Sequence, residues 1–397
     1  MIERLVRPLP RTVVVLGFVS LLNDSASEMI TPLIPLFLTA TLGAGPAIVG
    51  FIEGLAEATA SVLKLVSGRL ADRGVPAKAL VLGGYGLSNV ARPLIGLAVS
   101  WAAVLSLRFL DRVGKGLRTA PRDALIAGAT EASSRGRAFG FHRSMDHAGA
   151  VIGPLAAFGL LSANVQMSSV FLASAIPGAL VLLLLMWGLP QAPPGTGAVS
   201  GAPLAWRSLH GRLRAMIVVA GLLALASVPE AFIVLWARDA GLDLLWIPLI
   251  WAAASLAKMF VTLPAGIVSD RAGRLPVLTF GWSARVLVLV MLALIEPGPI
   301  GVWLLFIAYS ASLAITEPAE RSLIGDHASP GERGTAFGLY HLASGLLVLP
   351  GAVLFGLIWE WYGASTAFIA AAAVVAVAAA AMLLVAQAGE SGPRAVP

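Results

Sequence analysis

Arg108, Asp111, Arg112, Lys115, Arg118 and Arg122 recur at helical spacings through an otherwise apolar stretch. On a helix they form one charged stripe. Charge in hydrocarbon is costly, so the stripe must line water or meet partner side chains. Guanidinium and ammonium groups aligned in this way suit a carboxylate or phosphate. Candidate counter-charges lie nearby in sequence. Asp24 and Glu28 are four apart, as are Glu53 and Glu57, so each pair shares a helix face. Arg143, Asp146 and His147 form a third group. A carboxyl held away from water is a proton carrier unless an adjacent arginine keeps it charged, and histidine titrates near neutrality. Two readings follow: a protonatable cluster, or closed ion pairs that hold the helices. For the first, Asp24 and Glu57 lead as proton carriers, with Glu28, Glu53, Asp146 and His147 behind. Asn23, Arg108, Asp111, Arg112, Lys115 and Arg143 would face a solute. Arg118 and Arg122 are placed to snorkel towards headgroups. In the second half Glu317, Tyr340 and His341 are the cavity candidates, while Trp236, Trp251 and Trp282 read as packing or interface anchors.

These residues need a membrane scaffold to position them. The chain is 58% hydrophobic and 12% charged, against about 25% charged in ordinary globular proteins. Residues 170–189 and 367–386 are apolar runs long enough to cross ~30 Å of hydrocarbon. In lipid such runs must be helical to pair their backbone groups. Twelve segments are expected, at 12–39, 46–67, 77–99, 101–121, 138–161, 167–189, 215–237, 245–267, 276–295, 300–321, 336–358 and 365–387. They predict an all-α membrane protein with a bundle over 1–189, a linker over 190–214 and a bundle over 215–397. A short surface helix is expected near 206–213. The net charge of +6 falls mainly in short loops, which reads as topology and not as nucleic-acid binding. It places both termini and the linker in the cytoplasm, with the chain in the cytoplasmic membrane. No cleavable signal peptide is expected. There is no cysteine, hence no disulfide or thiol chemistry. No H-E-x-x-H, G-x-S-x-G or phosphate-binding loop occurs, which argues against an enzyme or an ATP-driven pump. Neither a metal nor another cofactor is expected.

One sentence is written twice. Gly68 to Arg73 returns 198 residues later as Gly266 to Arg271, and Arg135-Gly136-Arg137-Ala138-Phe139-Gly140 returns in the same register from Arg333. A repeat of half the chain is a duplicated domain. Two homologous membrane halves point towards a transporter.

With these motifs the chain resembles the major facilitator superfamily over nearly its whole length. The loop after the second segment resembles the family's G-x-x-x-D-R-x-G-R/K signature through Gly68, Asp72 and Arg73. Its second copy matches more fully through Gly266, Asp270, Arg271, Gly273 and Arg274. The fourth segment resembles R-x-x-Q-G-x-G-x-G, with Asp111 where Gln is usual and Arg112 where Gly is usual. The fifth resembles the antiporter motif G-x-x-x-G-P at Gly149, Gly153 and Pro154. The resemblance implies twelve transmembrane helices in two pseudo-symmetric six-helix bundles that rock about a central cavity. It implies a gating latch at the two loop signatures and proton-coupled efflux of a small molecule. The partners would be that substrate, protons and the bilayer, with the protein a monomer. Proton-symport import of an organic anion or siderophore-like metabolite, or efflux of lipophilic drugs, stays open beside it.

Overall fold

The computed structural model describes residues 9–72, 75–131, 134–189, 206–328 and 333–387, with the backbone alone at Asp72, Gly136, Ser208, Arg333, Gly334 and Gln387. Arg73, the Asp72 side chain and linker residues 190–205 lie outside the described residues. Among the described residues the chain folds into twelve helices and no strand, as the pairing of backbone groups in lipid requires. The twelve helices are α1 (Arg11–Ile30, continuing irregularly to Thr41), α2 (Pro46–Asp72), α3 (Ala77–Leu94), α4 (Trp101–Gly128), α5 (Arg135–Ser162), α6 (Met167–Ala173 and Ala175–Gly188), α7 (Gly211–Leu225 and Glu230–Asp239), α8 (Ile247–Ala272), α9 (Arg274–Leu294), α10 (Pro299–His327), α11 (Arg333–Tyr362) and α12 (Ala364–Gln387). Ten are long and apolar enough to cross a membrane by composition. The other two are α3 and α4, and α4 carries the charged stripe.

Three details differ from the expected segments. α4 runs a further two turns, to Gly128, so Asp123 shares the helix with Arg122. The surface helix near 206–213 is only a 3-10 turn at Trp206–Ser208, and α7 already begins at Gly211. α7 breaks over residues 226–229, where Pro229 has no N–H to offer. The carbonyl of buried Val228, outside both helical pieces, accepts the hydroxyl of Tyr309 at 2.5 Å.

Contacts divide the chain into two units. The first holds Met1–Ile34 and Val62–Gly201, the second Pro35–Ser61 and Ala202–Pro397. In the first, Val13, Leu16, Val19, Val81, Tyr85, Val181 and Leu185 build one core. Two seams there are set by glycine. A side chain at Gly149 would lie 2.5 Å from the Leu21 carbonyl, and one at Gly153 would collide with the Ser25 carbonyl. The G-x-x-x-G-P stretch of α5 is thus the contact surface for α1. Gly84 and Gly114 serve α3 and α4 in the same way, since a side chain at Gly84 would meet the Gly114 carbonyl at 2.6 Å. In the second unit Leu213, Met216, Leu278, Trp282, Leu323 and Met382 share a core. There Gly273 ends α8 at φ +95°, a conformation that favours glycine.

Gly153→Val should destabilise the first unit by about 1–3 kcal/mol, the usual cost of overpacking. Thermal unfolding of the detergent-purified protein reads this as a lowered Tm. A wild-type Tm would show that α1 and α5 are not held at this distance.

Candidate functional site

The stripe on α4 divides into a closed layer and an open one. The closed layer is built on Arg92 of α3, which is 2% exposed beside Asp111 at 1%. Arg92 Nε donates to Asp111 Oδ1 at 2.9 Å. Its Nη1 donates to Asn23 Oδ1 at 2.9 Å and to the Asn23 carbonyl at 3.2 Å. Arg108 Nη1 and Arg112 Nε stand 3.7 and 3.8 Å from Asp111 Oδ2. One carboxylate therefore serves three guanidinium groups, and it ties α3 to α4 while Arg92 reaches α1. Arg118 is also held inside. Its Nη1 donates to Ser88 Oγ at 2.6 Å, Ser88 donates onward to the Asp111 carbonyl at 2.9 Å, and the guanidinium lies 4.5 Å from the Tyr85 ring centroid. The expected snorkelling of Arg118 is replaced by this polar and cation–π contact.

The open layer faces a cavity of about 440 Å³ inside the first unit. That volume suits a small organic ligand. Its wall comprises Asn23, Asp24, Ser27 and Glu28 from α1, Lys64 from α2, and Arg92 from α3. α4 adds Lys115, Arg118, Thr119, Arg122 and Asp123, and α5 adds Phe139, His142, Arg143 and Asp146. Six Lys or Arg stand against four Asp or Glu, so the wall is cationic. Its acids are engaged. Asn23 Nδ2 donates to Asp24 Oδ1 at 3.0 Å. Arg122 Nε and Nη2 both reach Asp123 Oδ1, at 3.0 and 2.9 Å. Asp146 Oδ1 accepts the Ser20 hydroxyl. Asp146 Oδ2 lies 3.4 Å from Arg143 Nη1 and 3.6 Å from His142 Nδ1.

Of the residues singled out in sequence, Asn23, Asp24, Glu28, Lys115, Arg143 and Asp146 meet at this wall. Arg108, Asp111 and Arg112 are absent from it and belong to the closed layer. Glu53, Glu57 and His147 are half-buried and not on the wall, and the two glutamates fall in the second unit. Sequence reasoning passed over Arg92, Ser20, Tyr85, Ser88 and His142. Arg92 did carry a signal: a lone guanidinium between Val90-Ala91 and Pro93-Leu94 needs a partner in hydrocarbon.

The second unit holds smaller polar clusters. Lys258 Nζ pairs with Glu230 Oε2 at 2.9 Å, and Ser310 donates to Glu230 at 2.7 Å. Arg285 Nη2 donates to Thr316 at 2.6 Å, and Trp282 Nε1 to Glu320 at 3.0 Å. Glu317 pairs with Arg321 at 2.7 Å, and the Tyr340 and His341 rings lie edge to face at 5.1 Å. Trp236 and Trp251 are buried in packing. At the loop signature Asp270 pairs with Arg274, whose Nε also reaches Asp326 at 3.0 Å; Arg271 is exposed. The motif glycines keep the repeat's register in space. Gly68 faces Ala120 and Gly266 faces Pro318, each 3.7 Å from the position of an added Cβ.

Twelve helices with a duplicated plan, ten of them apolar enough to cross a membrane, and a polar cavity lined by five of them suit a multi-pass membrane transporter. The sequence profile of the Major Facilitator Superfamily matches residues 16–348 and 252–396, and the chain belongs to that superfamily. It is 30% identical over 361 residues to an uncharacterised MFS-type transporter of Methanocaldococcus jannaschii, covering 89% of this chain and 90% of that one. It is 26% identical over 340 residues to the multidrug resistance protein MdtH of Aeromonas hydrophila, covering 82% of each. Its fold is similar to that of a bacterial homolog of the human lysosomal transporter Spinster, crystallised inward-facing and occupied. The TM-score is 0.78 at 18% identity, over 94% of this chain and 96% of that one.

Asp111→Asn would leave three guanidinium groups without their carboxylate. Removing one partner of a buried pair costs about 3–5 kcal/mol, so a large fall in Tm is expected in detergent. Stability equal to wild type would mean that Asp111 does not hold the closed layer together.

Proposed function

We propose that the protein is a proton-coupled secondary transporter of small anionic molecules, working by alternating access. The observation that carries this reading is the cationic wall of the first-unit cavity, with Asp24 and Asp146 set among its bases. Lys64, Lys115, Arg122 and Arg143 are the side chains that would hold a carboxylate or phosphate, and Arg118 braces the wall behind them. The coupling sense follows from charge. An anion that draws a base away from its carboxylate leaves that carboxylate uncompensated, and this favours uptake of a proton at the same site. Anion and proton then bind together and move together. In this reading both termini and the basic loops face the cytoplasm of the cell's inner membrane, and the loop signatures gate the cavity from that side. In the same proposal the transporter acts as a monomer.

A second reading is efflux by exchange for protons. The G-x-x-x-G-P stretch of α5 and the similarity to a multidrug resistance protein favour it. Exchange requires that substrate expel the proton, which suits a cationic or lipophilic solute better than an anion.

Purified protein in liposomes under an imposed pH gradient separates the two. Co-transport predicts that anions accumulate on the side towards which protons flow, with proton movement in the same direction. Exchange predicts the opposite sign. Asp146→Asn should slow coupled flux roughly tenfold or more, since a hydrogen bond to a charged group is worth about 1.5–3 kcal/mol. Anion flux that ignores the gradient would remove proton coupling altogether.

A further inference from the structure

His142 lies on α5 and lines the first-unit cavity while only 3% exposed. No motif in the sequence assigns it a role. Its Nε2 is buried and makes no hydrogen bond. Its Nδ1 stands 3.6 Å from Asp146 Oδ2, the oxygen that also lies 3.4 Å from Arg143 Nη1. The other carboxylate oxygen is taken by Ser20. Asp146 therefore has one oxygen facing two rival partners, four and three residues back on the same helix. They differ sharply in access: the Arg143 side chain is 65% exposed and that of His142 is 4%.

The surrounding charges define what each partner can do. Arg122 and Asp123 of α4 and Arg143 of α5 line the same cavity wall as His142. α1 brings Asp24 and Glu28 to the same wall. α6, also against α5, carries no ionisable side chain. While Arg143 occupies Asp146 Oδ2, an imidazolium at His142 would have to share that oxygen with a guanidinium. Once Arg143 leaves, the carboxylate stands at ion-pair distance from the ring.

We propose that His142 carries the co-transported proton and that Arg143 grips the anion, the two exchanging places at Asp146. This rests on the anion co-transport reading and names its coupling residue. An entering anion draws the accessible Arg143 away from Asp146 Oδ2. A proton from water then adds to the neutral imidazole, giving an imidazolium paired with Asp146. One monovalent anion and one proton arrive together, so the cavity's net charge does not change. Release runs the same steps backwards. Asp146 acts as a positioning residue.

The test uses the purified full-length protein with methanesulfonate and inorganic sulfate, anions that do not titrate near neutral pH. In weak buffer with an indicator dye, wild type should take up about one proton per bound methanesulfonate. Its affinity should rise up to tenfold per unit fall in pH while the coupled group is neutral in the free protein, as linkage to one proton requires. His142→Gln should still bind the anion but lose the proton uptake and the pH dependence, whereas Arg143→Gln should lose affinity. In nitrogen-labelled histidine spectra, the resonance missing from His142→Gln should move from neutral to cationic as the wild type saturates. Wild-type proton uptake in His142→Gln, or a His142 that stays neutral at saturation, overturns the role of His142 and leaves anion transport standing. If neither anion binds the wild type, the anion reading itself falls. Because wild type alone supplies the affinity profile, a His142→Gln variant that fails to fold does not block the test. An affinity unchanged between about pH 6 and pH 8, the range in which histidine titrates, overturns the proposal.

Discussion

The bond between Arg92 and Asp111 is the constraint on which the first unit depends. A helix crossing hydrocarbon with five bases and a carboxylate within four turns could not face lipid, and its own backbone offers no counter-charge. Asp111 answers part of that problem by serving Arg92, Arg108 and Arg112 at once. The arrangement requires α3 and α4 to approach closely, which Gly84 and Gly114 permit. It also brings Asn23 into reach of Arg92, so α1 is tied to the same point. With that layer closed, the remaining bases of the stripe are left facing the cavity. The seam that ties α3 to α4 and the wall that lines the cavity are two parts of one helix face.

The second copy of the repeat solves the same problem with less charge. Position 309 stands where Asp111 stands in the first copy, and it is a tyrosine bonded to the broken backbone of α7. The buried arginine that bonds a hydroxyl across this seam has also changed helix. In the first copy Arg118 on α4 donates to Ser88 on α3. In the second, Thr316 occupies the position 198 residues beyond Arg118, and it accepts from Arg285 on α9. Each unit thus keeps one guanidinium–hydroxyl bridge between corresponding helices, with donor and acceptor exchanged. The loop glycines, by contrast, kept both register and contact. Duplication preserved the packing plan while charge was concentrated in one half.

The period and length of the apolar segments made the twelve helices legible, and the shared register made the duplication legible. Helix ends were less so. The fourth segment is expected to stop at 121, but α4 continues to Gly128, and Arg122 and Asp123 pair with each other at the cavity wall. The charged stripe announced buried polar contacts, yet its spacing could not separate closed pairs from an open wall. That division depends on Arg92, which enters from another helix and is distant from the stripe in sequence. Glu53 and Glu57 have the same four-residue spacing as Asp24 and Glu28, but α2 is long enough to serve both units. Only its later part, with Lys64, reaches the cavity. His142 was invisible because a single histidine carries no periodic signal.

Since the chain has no cysteine, accessibility along α4 can be read directly with single introduced thiols. The central claim is that one face of this helix is closed at Asp111 and open to water further along. Thr119→Cys lines the cavity and Val104→Cys replaces a residue that is 0% exposed. A membrane-impermeant thiol reagent applied to detergent-purified protein should label the first quickly and the second hardly at all, and a bound anion should protect the first. Equal labelling at both positions, or protection of neither by any anion, would contradict the account.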